Sequence, residues 1–338
     1  MKVAVIGAGS WGTAVAGLLG GKGEHVSLWA REPEIAAGIE HAHRNPLYLT
    51  DVELPRSVRA TSDMEQACFC ADALVVVTPS HGVRGTAETL SGFLPSSTPV
   101  INLSKGVEQG TLMRMTEVLA DVLGNPERLA ALSGPNHAEE VSKNIPSATV
   151  VAAYEESIGL LFQDLFMTPT FRVYTNPDVI GVELCSASKN VIAVAAGISD
   201  GLGHGDNTKA TLMTRGLAEM ARMGAHLGAN PLTYMGLAGI GDLIATCTSR
   251  HSRNRGLGNH IARGGTVESF TAETHMVAEG AVSCISLDDL AARIGIEVPI
   301  THQVRAILYE GAAPSSAQEA LMTRAAGDEL HGMGLVED

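Results

Sequence analysis

The chain has 338 residues with 37 glycines and 4% aromatics, and its 23 basic and 37 acidic side chains leave a formal charge of −14. That acidity excludes a general nucleic-acid binder, which needs a basic footprint, and it argues against docking on anionic membranes. With 45% hydrophobic and 18% charged residues the sequence reads as globular, and at roughly 100–200 residues per domain its length points to two domains that need no disulfide or metal staple.

Lys2 is followed by an uncharged run, Val3 to Gly21, that superficially resembles a signal peptide or a membrane span. Its six glycines and its division into a strand pattern, a turn and a helix pattern identify it instead as a folded βα unit. No stable membrane insertion is expected. Val3–Ile6 is an apolar strand signal, Trp11–Gly20 a helix with small residues on its packing face, and His25–Ala30 a second strand. Leu74–Val77, Pro99–Leu103, Leu129–Ser133, Thr149–Ala153 and Phe171–Thr175 continue the series, separated by helical stretches. Alternation of this kind requires crossover connections and predicts an α/β fold with a doubly wound, mainly parallel sheet.

The pattern changes at Asn176–Pro177, where Pro177 is well placed near a first helical turn. Beyond it the patterns are helical: Val179–Ile198, Asn207–Gly224, Val267–Ala278, Ser286–Ile294 and Pro299–Glu310. This divides the chain into a dinucleotide-binding domain, 1–177, and an all-helical C-terminal domain, 178–338. Gly327–Asp338 is polar and glycine-containing and is expected to fray. The five cysteines, Cys68, Cys70, Cys185, Cys247 and Cys284, are odd in number and lack framework spacing, which fits a reducing cytosol and a cytoplasmic protein. Cys68 and Cys70 have no ligand cluster beside them, and the twelve histidines are scattered. No metal site is expected.

Gly7-Ala8-Gly9-Ser10-Trp11-Gly12 is a G-x-G-x-x-G turn that follows a strand and opens a helix, the context in which the pattern has meaning. Its glycines let the backbone approach a pyrophosphate, and the helix N-terminus adds N–H donors and partial positive charge. A glycine-rich turn holding no ligand would look the same locally. The second strand ends in Trp29-Ala30-Arg31, without the acidic residue that grips a ribose 2′-hydroxyl. Arg31 can accept a 2′-phosphate, so NADP(H) is favoured with NAD(H) possible, although Glu32 stands one residue further.

Ser104-Lys105-Gly106 and Ser133-Gly134-Pro135-Asn136-His137-Ala138 follow strand runs, where ligand crevices form in open α/β sheets. Lys189 and Asn190 lie midway along an otherwise apolar, small-residue helix. A lysine there either snorkels at a helix edge or is buried with a partner, its pKa lowered as a general base requires. Asp242 and Thr246, four apart, share one helix face. Asp242 either balances Lys189 or caps its helix. Thr248 to Gly256 places Arg250, Arg253 and Arg255 among Ser and Asn donors. The stretch is a phosphate clamp or an exposed basic loop.

Read together, Gly7-x-Gly9-Ser10-Trp11-Gly12-Thr13-Ala14, Ser104-Lys105-Gly106, Gly134-Pro135, Lys189-Asn190-Val191-Ile192-Ala193, Gly201-x-Gly203-x-Gly205-Asp206-Asn207, Gly241-Asp242-Leu243 and Ser252-Arg253-Asn254-Arg255 resemble bacterial NAD(P)-dependent glycerol-3-phosphate dehydrogenase. The likeness runs over nearly the whole chain. It implies a Rossmann-like domain, a helical domain, a homodimer and a phosphorylated triose or glycerol substrate. It also implies that Lys189 accepts the proton and that Lys105 touches substrate and nicotinamide. Gly134, Asn136, Asn190, Asp242, Thr246, Ser252, Arg253 and Asn254 would line the substrate, with Lys105, Lys189 and Asp242 catalytic. Gly7, Gly9, Ser10, Trp11, Gly12, Arg31, Lys105, Ala138, Arg253, Val277 and Glu279 would contact the dinucleotide. Asn136 stands where the family often has Ser or Thr, and Ser186-Ala187-Ser188 where it usually has Gly-Ala-Leu. Two other classes compete: a ketopantoate or hydroxyacid reductase, which does not need the Ser252–Asn254 loop, and a catalytically silent nucleotide sensor, which has no use for Lys105, Lys189 and Asp242.

Overall fold

The computed structural model describes residues 1–274 and 278–329. The chain forms two compact units: 1–104 with 115–179, and 105–114 with Ile180 onward. The change of unit near 179 lies beside the 177/178 division read from the sequence, but the segment 105–114 departs from it: Lys105 belongs with the second unit.

The first unit is built on eight strands: β1 (Lys2–Ile6), β2 (His25–Trp29), β3 (Val58–Thr61), β4 (Ala73–Val76), β5 (Val100–Asn102), β6 (Leu129–Ser133), β7 (Ser147–Ala153) and β8 (Phe171–Asn176). They order as β3-β2-β1-β4-β5-β6-β7-β8. Every neighbouring pair is parallel except β6–β7. The connecting helices are α1 (Ser10–Lys22), α2 (Pro33–Ala42), α3 (Met64–Cys68), α4 (Val83–Ser91), α5 (Met115–Leu123), α6 (Ala138–Val141) and α7 (Glu156–Phe166). Central strands such as β4, Ala-Leu-Val-Val, are buried along their whole length because both faces are covered, so they carry no alternation. β3 went unread in the sequence, since only Val58 among its four residues is fully buried.

The second unit begins with the 105–114 hairpin and continues as α8 (Val179–Gly201), α9 (Asp206–His226), α10 (Asp242–Thr248), α11 (Arg253–Ala262), α12 (Val267–Thr274), α13 (Glu279–Ile294), α14 (Pro299–Tyr309) and α15 (Pro314–Met322). Among its described residues the only β pairing is a bridge between Val107 and Arg114. α8 is long and apolar enough to cross a membrane, with mean hydropathy 1.5, yet 94% of that stretch is buried inside the protein as a core helix. Two glycines let α8 and α11 touch: a Cβ on Gly197 would fall 2.0 Å from the Arg255 carbonyl oxygen, and one on Gly258 2.1 Å from that of Val194.

Several helices differ from the sequence reading. Of the pattern over 267–278, Val267–Thr274 form α12, and 275–277 lie outside the described residues. α13 starts at Glu279 rather than Ser286, because Gly280, Ala281, Ser283 and Cys284 are small enough to bury against neighbouring helices. α15 was not anticipated, for only Ala317 of its residues is buried. Of the expected fraying tail, 330–338 lie outside the described residues.

Candidate active site

In the first unit, the glycine turn joins β1 to α1. Gly7 has φ +125° and its missing Cβ would press on the Val77 carbonyl oxygen at 2.8 Å, while a Cβ on Gly12 would lie 1.8 Å from the Gly7 oxygen. Gly9, the residue preceding α1, faces open space, and the first turn of α1 has no side-chain cap and no acidic residue. Open backbone at a helix N-terminus fits the diphosphate of a dinucleotide. Asn45 holds this turn in place and was missed by sequence reasoning. It is fully buried, and its Nδ2 donates to the Ala8 carbonyl and to Thr13 Oγ1, both at 2.8 Å. Its only local signal was the Asn45-Pro46 dipeptide, which marks a turn and not a partner 37 residues away.

Arg31 follows β2 with its side chain exposed and donates from Nη2 to Glu32 Oε1 at 2.6 Å. Gly134 follows β6, packed so closely that a Cβ would meet Thr149 Cα at 2.9 Å. Asn136 Nδ2 donates to the Ala148 carbonyl at 3.1 Å, leaving its Oδ1 buried without a partner among the described residues. Ala138 opens α6 and is buried.

The second unit holds the charged cluster. Lys189 lies near the middle of α8, and its side chain is 5% exposed. Its Nζ donates to Asp242 Oδ1 and to Thr246 Oγ1, each at 2.7 Å. The other Asp242 oxygen, Oδ2, accepts from Lys105 Nζ at 2.8 Å. One carboxylate therefore bridges two ammoniums. Asp242 opens α10 after a kink at Gly239, and Thr246 follows one turn later on the same face. Thr246 Oγ1 donates its proton to the Asp242 carbonyl at 2.6 Å, so a lone pair remains to accept from Lys189.

Burial pulls the Lys189 pKa down to about 8; pairing with Asp242 opposes this, and repulsion from Lys105 adds to it. Burial alone would raise the Asp242 pKa, but the ammoniums of Lys105 and Lys189 hold it below the usual carboxylate value. The cluster thus combines a lysine that can lose its proton near neutrality with a fixed anion and a second cation, which is what general acid–base chemistry at an oxygen requires.

The arginine-rich stretch opens a helix rather than forming an exposed loop. Ser252 caps α11, its Oγ accepting from the Arg255 N–H at 3.2 Å, and Arg253 occupies the first turn. Arg255 is engaged by Asp200 Oδ2 at 2.6 Å, and Arg250 lies against His251. Arg253 has no such partner among the described residues. Asn254 is buried and joins three helices: its Nδ2 donates to Asn190 Oδ1 at 2.9 Å, and its Oδ1 accepts from the Gly280 N–H at 2.8 Å. Asn254 retains one N–H for a ligand. Glu279 opens α13, and Val277 lies outside the described residues. Among the described residues no group of three His, Cys, Asp or Glu could hold a metal.

Comparison with known proteins gives a consistent result. Residues 2–158 match the N-terminus, and 178–319 the C-terminus, of NAD-dependent glycerol-3-phosphate dehydrogenase. Glycerol-3-phosphate dehydrogenase [NAD(P)+] 2 of Salinibacter ruber is 48% identical over 330 residues, 97% of this chain and 96% of that one. The crystal structure of glycerol-3-phosphate dehydrogenase from Coxiella burnetii superposes with a TM-score of 0.92 at 35% identity, covering 96% of this chain and 99% of that one. A ketopantoate reductase of Ralstonia eutropha is 20% identical with a TM-score of 0.63, covering 94% of this chain and 100% of that one, a likeness of fold alone.

Proposed function

The chain belongs to the NAD-dependent glycerol-3-phosphate dehydrogenase family, and from that membership we propose that it interconverts dihydroxyacetone phosphate and sn-glycerol 3-phosphate with NAD(P)(H), supplying glycerophospholipid synthesis. The observation that carries this reading is the buried Lys189 bridged through Asp242 to Lys105. When bound, the nicotinamide exchanges a hydride with C2 of the substrate.

Lys189 handles the matching proton. In the oxidative direction the C2 hydroxyl proton passes to its neutral amine as the C2–O bond becomes a carbonyl; in the reductive direction the ammonium returns it. Asp242 and Thr246 fix the Lys189 nitrogen by two hydrogen bonds, and Lys105 stabilises negative charge on the reacting oxygen. The guanidinium of Arg253, with Ser252 and the remaining Asn254 N–H, takes the phosphate. That grip orients the reacting carbon, which can be worth several kcal/mol of barrier. Asn190 holds Asn254.

The turn from Gly7 to Gly12 takes the cofactor diphosphate, with Ser10, Trp11 and Ala138 along the dinucleotide. Arg31, freed from Glu32, meets a 2′-phosphate, so NADP(H) is favoured over NAD(H). The protein acts as a cytoplasmic homodimer, and its five free cysteines suit a reducing compartment. The test is a substrate panel followed by NADPH absorbance. Fast consumption with dihydroxyacetone phosphate, far slower consumption with dihydroxyacetone and none with ketopantoate is expected. Turnover of ketopantoate alone would overturn the assignment.

A further inference from the structure

The two ammoniums that share Asp242 come from separate stretches, and something must set their spacing. Lys189 is carried by α8, whereas Lys105 begins a ten-residue hairpin grouped with the same unit. The hairpin closes through the Val107–Arg114 bridge and a Glu108 N–H bond to the Met113 carbonyl at 2.9 Å, turning through Gly110 and Leu112, both at positive φ. Val107, two residues after Lys105, is 2% exposed and joins the core with Leu184 and Ala187 of α8. Opposite it, Arg114 Nη1 donates to Glu183 Oε2 at 2.7 Å, with the two side chains only 9% and 4% exposed. Glu183 lies six residues before Lys189 on α8.

A buried ion pair is weak evidence for stability, because desolvation offsets much of the attraction; its best-attested use is to fix register. Here it joins the hairpin that carries Lys105 to the helix that carries Lys189. We propose that Arg114 and Glu183 are positioning residues, which hold the Lys105 ammonium on Asp242 across from Lys189. The inference rests on the roles assigned above to Lys105 and Lys189. Asp242 and Cys247 face Lys189 from α10, and Lys105 faces it from the hairpin. Releasing the hairpin withdraws the Lys105 cation and leaves Asp242 to Lys189 alone. Both changes favour the protonated amine.

The test is the pH dependence of kcat/KM for glycerol 3-phosphate oxidation, which needs neutral Lys189. Glu183→Gln is expected to move the acidic limb to higher pH by about half a pH unit, a threefold change in midpoint proton concentration. Lys105→Met should move it the same way, and the double variant no further. Should Glu183→Gln fail to fold, Arg114→Met with Glu183→Met replaces the pair by apolar groups of similar volume, a change buried pairs tolerate; it should show the same displacement. A uniform loss of activity with an unmoved limb, or a displacement that adds to that of Lys105→Met, overturns the positioning role. Failure of Lys105→Met itself to move the limb would instead strike the catalytic reading beneath it.

Discussion

Replacing Lys189 by Met separates what this side chain does for catalysis from what its burial does to stability. Met fills a similar volume without a charge, and Asp242 keeps Lys105 as a partner. The folded-state pKa of about 8 lies below the ordinary lysine value of 10.5. Between those values the unfolded chain binds the proton that the folded protein has released. Folding is therefore disfavoured by the full linkage term below pH 8, and the penalty disappears as pH rises toward 10.5. The gap of about 2.5 pH units corresponds to about 3 kcal/mol. Wild type should accordingly gain about 3 kcal/mol of stability relative to Lys189→Met between pH 7 and pH 10.5. Urea unfolding of both proteins across that range measures the difference, in which the titrations common to both cancel. The same variant should lose about 10²–10⁴ in kcat, with cofactor binding unchanged. Parallel stability curves, or turnover near wild type, would refute the account of Lys189 as a desolvated base.

Three further outcomes follow from the same geometry. Arg253→Ala should raise KM for dihydroxyacetone phosphate by about 10–100-fold, the worth of a charge-assisted contact, and leave the slow reaction with unphosphorylated dihydroxyacetone unchanged; equal loss on both would remove the phosphate role. Arg31→Ala should weaken NADPH by about tenfold and spare NADH, as fluorescence titration of each cofactor would show. Gly12→Ala forces a Cβ to 1.8 Å from the Gly7 oxygen, so it should abolish dinucleotide binding or the fold of the first unit; retained affinity by calorimetry would contradict the tight turn.

The parts legible in the sequence are those whose signal is local. Seven of the eight strands announce themselves as apolar runs or alternating patterns, and the glycine turn is recognisable from its place between β1 and α1. Lys189 stands out because a charge midway along an apolar helix has few explanations. β3 does not announce itself, since Arg59 and Thr61 face outward at the sheet edge. The antiparallel β6–β7 pairing depends on chain direction, which no run of side chains encodes. α11 was hidden because Arg253, Asn254 and Arg255 read as a polar loop until Ser252 is seen to cap it. Least legible were contacts between distant positions: Asn45 with Ala8, Arg114 with Glu183 69 residues away, and the grouping of Lys105 with the helices rather than with the sheet.

The 105–114 excursion also limits how such an enzyme can be recombined. A chimera spliced once near residue 178 would mate helices from one parent with a hairpin from another, and Val107 would then seek a foreign hydrophobic socket. A graft that transfers the helical half faithfully must cut the gene at three places, carrying ten residues from the middle of the nucleotide-binding half along with it. Inheritance of the two halves is in that sense interlocked, and parental pairs that diverge at position 114 or 183 should recombine poorly even where each half is sound.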